Sequence, residues 1–320
     1  MNGTGILKNK IAAVLMGGPG AEREVSLRSG AAVARALRAC GAFVTALDVT
    51  GPDFVLPSGT DLAFNIIHGT FGEDGQIQQI LEDRGIPYTG EGVEGSRIAF
   101  DKILSKQKFD AANVPTAKWH ILRRGETPTI APPCVVKAPR QGSSVGVHII
   151  KGPAEFHAAF EDCFRYGEEI LVEEFFTGRE LTVGILGQEA LPIVEIVPHE
   201  GFYDYAHKYS KGASDYYVPA AIGADATLAV QQAALAAHQA LGLEVYSRVD
   251  ILLAPGGRLN VMEINTLPGM TETSLLPKAA AVAGLDFPAL CERIAALSLV
   301  RIENQKSRNG RDPCSRPLEN

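Results

Sequence analysis

The chain has 320 residues, of which 46% are apolar and 21% charged, with a formal net charge of −7. This composition excludes a disordered chain, which has too little apolar content to bury a core, and a broadly basic nucleic-acid coat. The length predicts two to three domains, because single cores stop growing at roughly 250–300 residues.

The N-terminal MNGTGILKNK leads into an apolar run over 11–16. That run is too short for a signal-peptide core and reads as a buried parallel strand. After Gly17-Gly18-Pro19-Gly20 comes a helix with Leu27, Ala31, Ala34 and Leu37 on one face, stopped by Gly41. Strands follow at 42–49 and 62–67, then a helix carrying Ile77, Ile80 and Leu81 that ends at Gly85. This βαβ order predicts a parallel sheet with right-handed crossovers. Next comes a polar helix over 99–112 with Lys102, Lys106 and Lys108. Short strands at 134–137, 147–150 and 170–175, with a Gly/Ser loop at 140–146, read as a small α+β unit. The last third holds strands at 180–186, 190–197, 246–253 and 258–264, and a long helix over 226–241 with Leu228 and Leu235. A terminal helix starts near Pro288. From Glu303 the tail has no apolar periodicity and reads as disordered. No run reaches the ~18 apolar residues of a membrane span. Cys40, Cys134, Cys163, Cys291 and Cys314 form no CxxC pair, so reduced thiols and a cytoplasmic location are expected.

Five segments carry chemistry. The first glycine turn fails the dinucleotide fingerprint, since Arg23 stands where the third glycine belongs and Glu22 and Glu24 would repel a pyrophosphate. Glu22 alone fits a tight turn as well as an ammonium site. With His68, in the HGTFGEDG loop at the same sheet edge, it suggests a site for a polar small molecule. Lys137 closes an apolar strand and precedes Gly142-Ser143-Ser144-Val145-Gly146, a loop of amides, hydroxyls and one cation suited to phosphate; a solvated surface hairpin is the competing reading. Period two places Arg248 with Asp250, and Glu263 with Asn265, on single faces of two strands whose hairpin would join them. Two facing carboxylates with an amide suit Mg²⁺ and would repel without it. The 266–275 loop, leading into a helix, offers amides and the Ser274 hydroxyl to a carboxylate.

The strings GGPGAEREVSLRSG, HGTFGEDG, PYTGEGV, FDKILSK, VVKAPRQGSSVG, FYDYAHKY, SRVDILL and VMEINTLPGMTETSL occur in this order between residues 17 and 275, within a match over residues 11 to about 298. Together they resemble the ATP-grasp superfamily, and within it the D-alanine–D-alanine ligases. The resemblance implies an α/β ATP-grasp fold: an N-terminal parallel α/β substrate domain over 1–94, central and C-terminal ATP-grasp subdomains over 95–174 and 175–302, the latter with the metal site, and a tail over 303–320. It implies ligation of two D-alanines with ATP, via an acyl phosphate, for peptidoglycan synthesis. Lys102, Lys137, Ser143, Ser144 and Lys208 would bind phosphates, Glu173, Phe175 and Phe176 would form the adenine hinge, and Glu180 would hold the ribose. Asp250, Glu263 and Asn265 would carry two Mg²⁺, with Mn²⁺ as a substitute. Glu22, with His68 nearby, would hold the first D-alanine. Glu22, Ser143 and Tyr209 would form a triad closing a 203–214 lid. Arg248 and Gly269 would stabilise the oxyanion, and Ser274 and Leu275 would take the second carboxylate. A homodimer is implied, with neither nucleic acid nor membrane as partner. Departures are Ala138-Pro139, in reversed order, and Gly20 where Ser is common. Two rivals remain: a D-lactate depsipeptide ligase, opposed by Tyr209, and a catalytically dead nucleotide sensor, opposed by the intact Lys137, Arg248, Asp250, Glu263 and Asn265.

Overall fold

A computed structural model describes residues 5–142, 145–199 and 214–309. The apolar run after residue 10 forms β1 (Ile11–Gly17), central in a parallel sheet between β2 (Phe43–Val49) and β3 (Leu62–Asn65). Both faces of β1 are covered, which is why it is apolar along its length. Ala12 and Val14 pack with Val33 and Leu37 of α1 (Arg23–Ala39), and Ala13 and Leu15 with Ile77 and Leu81 of α2 (Gln76–Asp83). The buried face of α1 runs through Val25, Ser29, Ala32, Val33, Ala36 and Leu37, whereas Ala31 is exposed and Leu27 half-buried. Alanines occur on both sides of this helix, so spacing alone leaves its rotation open; packing against β1 and the last helix fixes it.

The polar helix expected over 99–112 is two helices, α3 (Val93–Phe100) and α4 (Lys102–Ala111). Asp101 divides them. It is extended, and its Oδ1 caps α4 by accepting from Ile103 N–H (2.9 Å) and Leu104 N–H (3.2 Å). An antiparallel sheet follows, in the order β4 (Trp119–Arg123), β7 (Glu169–Glu174), β5 (Cys134–Lys137), β6 (Val147–Ile150), packed on α5 (Phe156–Cys163). The third sheet runs β11 (Ser214–Tyr217), β10 (Val194–Pro198), β8 (Arg179–Leu186), β12 (Tyr246–Leu253), β13 (Leu259–Asn265), with β9 (Glu189–Ala190) paired to β8. It packs on α6 (Ala224–Ala240) through Val230, Ala233, Ala234 and Ala237, while Leu228 is 57% exposed.

Two further helices close the chain, α7 (Leu275–Val282) and α8 (Phe287–Asn309). One apolar core joins the first and third sheets, clustering Val14, Leu37 and Phe64 with Tyr246, Leu276 and Ile294. The disorder expected from Glu303 is corrected over 303–309, where α8 continues; 310–320 lie outside the described residues. Polar contacts hold these turns where apolar periodicity is lacking. Arg308 Nη1 is 3.1 Å from Glu244 Oε1, and Gln305 Oε1 accepts from Arg301 Nη1 at 3.1 Å. No helix among the described residues is long and apolar enough to cross a membrane.

Glu91 ties the first sheet's loops to the third sheet. Its carboxylate is buried and accepts from the backbone N–H groups of Glu244 (2.9 Å), Val245 (2.8 Å) and Tyr246 (3.1 Å). Burial pushes its pKa from 4.5 up to about 7, against the pull of those three donors. The folded protein therefore holds a proton that the unfolded chain has lost between these values, and stability falls as pH rises through that window. A Gln at this position does not titrate. Urea unfolding is expected to find Glu91→Gln less stable than wild type at pH 5, with the gap narrowing towards pH 7 by up to about 3 kcal/mol. A gap independent of pH would contradict this assignment.

Candidate active site

The loops at the carboxyl ends of β1 and β3 meet β12, β13 and the start of α7 around a cleft of about 620 Å³. Glu22 enters it from the N-terminal end of α1. Two glycines make room for this side chain. A Cβ at Gly69 would stand 2.9 Å from Glu22 Oε2, and one at Gly142 would stand 2.8 Å from it. The HGTFGEDG loop and the Gly/Ser loop thus both close on one carboxylate.

His68 is 4% exposed and both ring nitrogens are engaged. Nδ1 lies 2.9 Å from Leu267 O and Nε2 lies 3.1 Å from Ser29 Oγ, which also accepts from Met270 N–H at 3.3 Å. The ring therefore pins the 266–274 turn to the first sheet. Glu73, 3.8 Å from His68 Nδ1, also lines the cleft; burial raises its carboxyl above the usual range, against the pull of His68.

The base of the Gly/Ser loop is tied to the start of α4. Arg140 Nε donates to Asp101 Oδ2 (2.7 Å), and Lys102 N–H donates to Pro139 O (3.0 Å). Lys102 Nζ donates to Gln141 O (2.8 Å) and stands 3.4 Å from Glu263 Oε2, so one ammonium bridges the loop and β13. The reversed Ala138-Pro139 pair is accommodated here, with Ala138 buried and its N–H donating to Gly146 O at 2.8 Å.

β12 and β13 form the expected hairpin, with Asp250 opposite Glu263 and Arg248 opposite Asn265. Arg248 makes a bidentate pair with Asp250 (Nε–Oδ1 2.9 Å, Nη2–Oδ2 2.7 Å), and Thr182 Oγ1 donates to Oδ1 at 2.6 Å. The repulsion expected between the two carboxylates is thus met by cations: Arg248 serves Asp250 and Lys102 serves Glu263. Among the described residues no group of three or more His, Cys, Asp or Glu is poised for a metal. The Asp250–Glu263–Asn265 set offers two carboxylates and an amide, a number that suits Mg²⁺, which keeps waters and phosphate oxygens as its other ligands.

The residues expected from sequence to meet a nucleotide lie along the junction of the second and third sheets. Glu173, next to last in β7 and 2% exposed, stands between Lys137 Nζ (2.8 Å) and Lys106 Nζ (3.2 Å). Burial alone would raise its carboxyl; the two ammoniums outweigh burial and hold it below the usual range, while burial lowers Lys106. The cation that closes the apolar Cys-Val-Val-Lys strand is therefore neutralised by a carboxylate. Phe175 and Phe176, in the link from β7 to β8, and Glu180, in β8, are half-buried, with Arg258 stacked 5.1 Å from the Phe176 ring centre.

Of the residues expected from sequence, Glu22, His68, Lys102, Arg248, Glu263, Asn265, Gly269, Ser274 and Leu275 share the cleft. Asp250 stands behind Arg248, and Lys137 and Glu173 pair outside the cleft lining. Ser143, Ser144, Lys208 and Tyr209, with the 203–214 lid apart from Ser214, lie outside the described residues. The residues missed were Glu73, Lys106 and Lys278. Glu73 sits inside the quoted HGTFGEDG string, and Lys106 appeared only as one of three lysines on a polar helix.

Three sheets around one polar cleft, with a glycine loop and a carboxylate hairpin at its edges, define the ATP-grasp fold. A family model for the D-ala D-ala ligase C-terminus matches residues 108–296, and one for the D-ala D-ala ligase N-terminus matches residues 47–91. The D-alanine–D-alanine ligase of Methylacidiphilum infernorum (isolate V4) is 49% identical over 289 residues, 90% of this chain and 95% of the relative. The crystal structure of D-alanine–D-alanine ligase from Bacillus anthracis complexed with ATP superposes with a TM-score of 0.82 at 32% identity, covering 93% of this chain and 99% of that one. The VanG D-Ala:D-Ser ligase from Enterococcus faecalis superposes with a TM-score of 0.81 at 28% identity, covering 91% and 100%. The chain belongs to the D-alanine–D-alanine ligase family.

Proposed function

We propose that this protein joins two D-alanine molecules into D-alanyl-D-alanine for peptidoglycan synthesis, converting ATP to ADP and phosphate through an acyl phosphate. One observation carries the reading: a single cleft is lined by an acid from the first sheet, Glu22, and by Lys102, Arg248, Glu263 and Ser274 from the nucleotide side and the third sheet. An amino acid held there by its ammonium presents its carboxylate towards phosphate-binding groups.

In this reading Glu22 binds the ammonium of the first D-alanine, and His68 holds the 266–274 turn in place beside it. Lys102 and Lys137 hold ATP phosphates, with Ser143, Ser144 and Lys208. Glu173, Phe175 and Phe176 cradle the adenine and Glu180 the ribose. The first carboxylate attacks the γ-phosphate. The second amine then attacks the acyl phosphate carbonyl, phosphate leaves, and Arg248 with the Gly269 backbone stabilises the oxyanion. Ser274 and Leu275 receive the second carboxylate, and Tyr209 supports the Glu22–Ser143 network under the lid. Asp250, Glu263 and Asn265 would hold Mg²⁺, or Mn²⁺ in its place, which supplies charge neutralisation at the phosphates when bound. Water would hydrolyse the acyl phosphate, so enclosure of the cleft is a chemical requirement. We also propose the three-domain division at 94, 174 and 302, a homodimer, and a cytoplasmic location, all supported by the family resemblance.

The test is phosphate release and dipeptide formation with ATP and Mg²⁺, offering D-alanine alone and then D-alanine with D-serine or D-lactate. Dominant D-alanyl-D-alanine supports the reading. A mixed dipeptide or depsipeptide as main product would replace the acceptor, and ATP binding without turnover would favour a sensor.

A further inference from the structure

The first turn of α7 carries one cation, Lys278, with no ion pair among the described residues; Glu272, just before the turn, faces Arg35 at 3.9 Å. Ser274 at its N-terminus is extended and does not cap its own helix. Its Oγ instead meets Thr271 N–H (3.1 Å) and Thr271 Oγ1 (2.8 Å). The first backbone N–H groups of α7 are thus left to an anion in the cleft. Lys278 lies one turn on, its N–H donating to Ser274 O at 3.0 Å. Side chains on a helix lean towards its N-terminus, so the Lys278 stem runs back over Ser274, and Lys278 lines the same cleft as Thr271, Thr273 and Ser274.

A lysine at this end of a helix is placed against the macrodipole. Lys102 and Arg248 in the same cleft each have a carboxylate, Glu263 and Asp250. Among the described residues Lys278 Nζ has none; its contact is the face of Tyr216, 4.3 Å from the ring centre. That aromatic face steadies the ammonium without neutralising it. Burial lowers its proton affinity, as it does for a cation short of a counter-charge.

We propose that Lys278 binds the carboxylate of the acceptor amino acid, acting with the α7 N-terminus to require a carboxylate on the second substrate. The proposal rests on the ligase reading above. The donor needs its carboxylate for phosphorylation, whereas the acceptor reacts only through its amine. Its free carboxylate is therefore available for a fixed cation that orients the amine towards the acyl carbonyl.

The experiment compares D-alanine with D-alaninamide as acceptor, in the wild type and in Lys278→Met, Lys278→Gln and Lys278→Arg. Products are separated by mass spectrometry. The two neutral variants are expected to lower kcat/KM for D-alanine as acceptor about tenfold or more, with KM for ATP unchanged and D-alaninamide use within about twofold of wild type. Lys278→Arg is expected to restore most of the preference for the carboxylate. Equal losses for both acceptors, or no loss, would overturn the assignment, since a merely structural role moves both together. If Met does not fold, the Gln variant and the Arg rescue distinguish the same two outcomes. Absence of any dipeptide from the wild type would instead overturn the ligase reading, and this proposal with it.

Discussion

Glu263→Gln is expected to lower turnover by about 10²–10³-fold while leaving the fold intact. Glu263 lies in the cleft, opposite Asp250 in the β12–β13 register, with Lys102 at 3.4 Å. The substitution keeps the shape of the side chain and removes the negative charge. Its side chain is 35% exposed, so the lost pair with Lys102 costs only about 0–1 kcal/mol of stability. The far larger loss is expected in activity if Glu263 gathers a cation at the phosphates, as proposed, because charge is redistributed there. Circular dichroism and urea unfolding should match the wild type, and Mg²⁺ titration of the residual activity should shift to higher concentration. Wild-type turnover would remove Glu263 from the metal assignment. Asp250→Asn is a less clean test, because it also strips Arg248 of its bidentate partner.

Lys106→Met is expected to destabilise the protein by about 3 kcal/mol and to raise KM for ATP. Lys106 is 1% exposed, and its Nζ meets Glu173 Oε1 at 3.2 Å and Thr116 Oγ1 at 2.5 Å. Removing it leaves a buried carboxylate with Lys137 as its remaining cation, which ties Lys137 more tightly and weakens the phosphate contact proposed for it. Thr116 Oγ1 donates in turn to Val261 O on β13 at 2.9 Å, so the contact also joins the nucleotide side to the carboxylate hairpin. The double variant Lys106→Met, Glu173→Gln should cost less than the sum of the single variants, since neutralising Glu173 removes the stranded charge. Additive losses in urea unfolding would show that the two residues act separately.

Much of the site is legible in the sequence because its signals are local. Glycine turns, strand ends and period-two faces are set within about ten residues of chain. That is why spacing alone pairs Arg248 with Asp250 and Glu263 with Asn265, and marks the loops around His68 and Gly142. The same locality explains one error: the two carboxylates are weighed only against each other, while Lys102, distant in the chain, stands beside Glu263.

The order of the elements, the glycine loops and the residue types brought to the cleft can all be read from the chain alone. The family's motif strings belong to the same layer, since they can be read without knowing which element faces which. Tertiary structure decided the partners of buried charge. Lys106 reads as one more lysine on a polar helix until α4 is set beside β7, which turns it towards Glu173. Glu91 reads as a loop residue until its carboxylate meets N–H groups 153 to 155 residues away. Residues 303–309 lack an apolar pattern, yet α8 continues there because Glu244 stands across from Arg308. The physical reason is common to all three. A charge in water needs no particular neighbour, whereas a charge removed from water needs one within a few ångströms, and only the packing of distant elements supplies it.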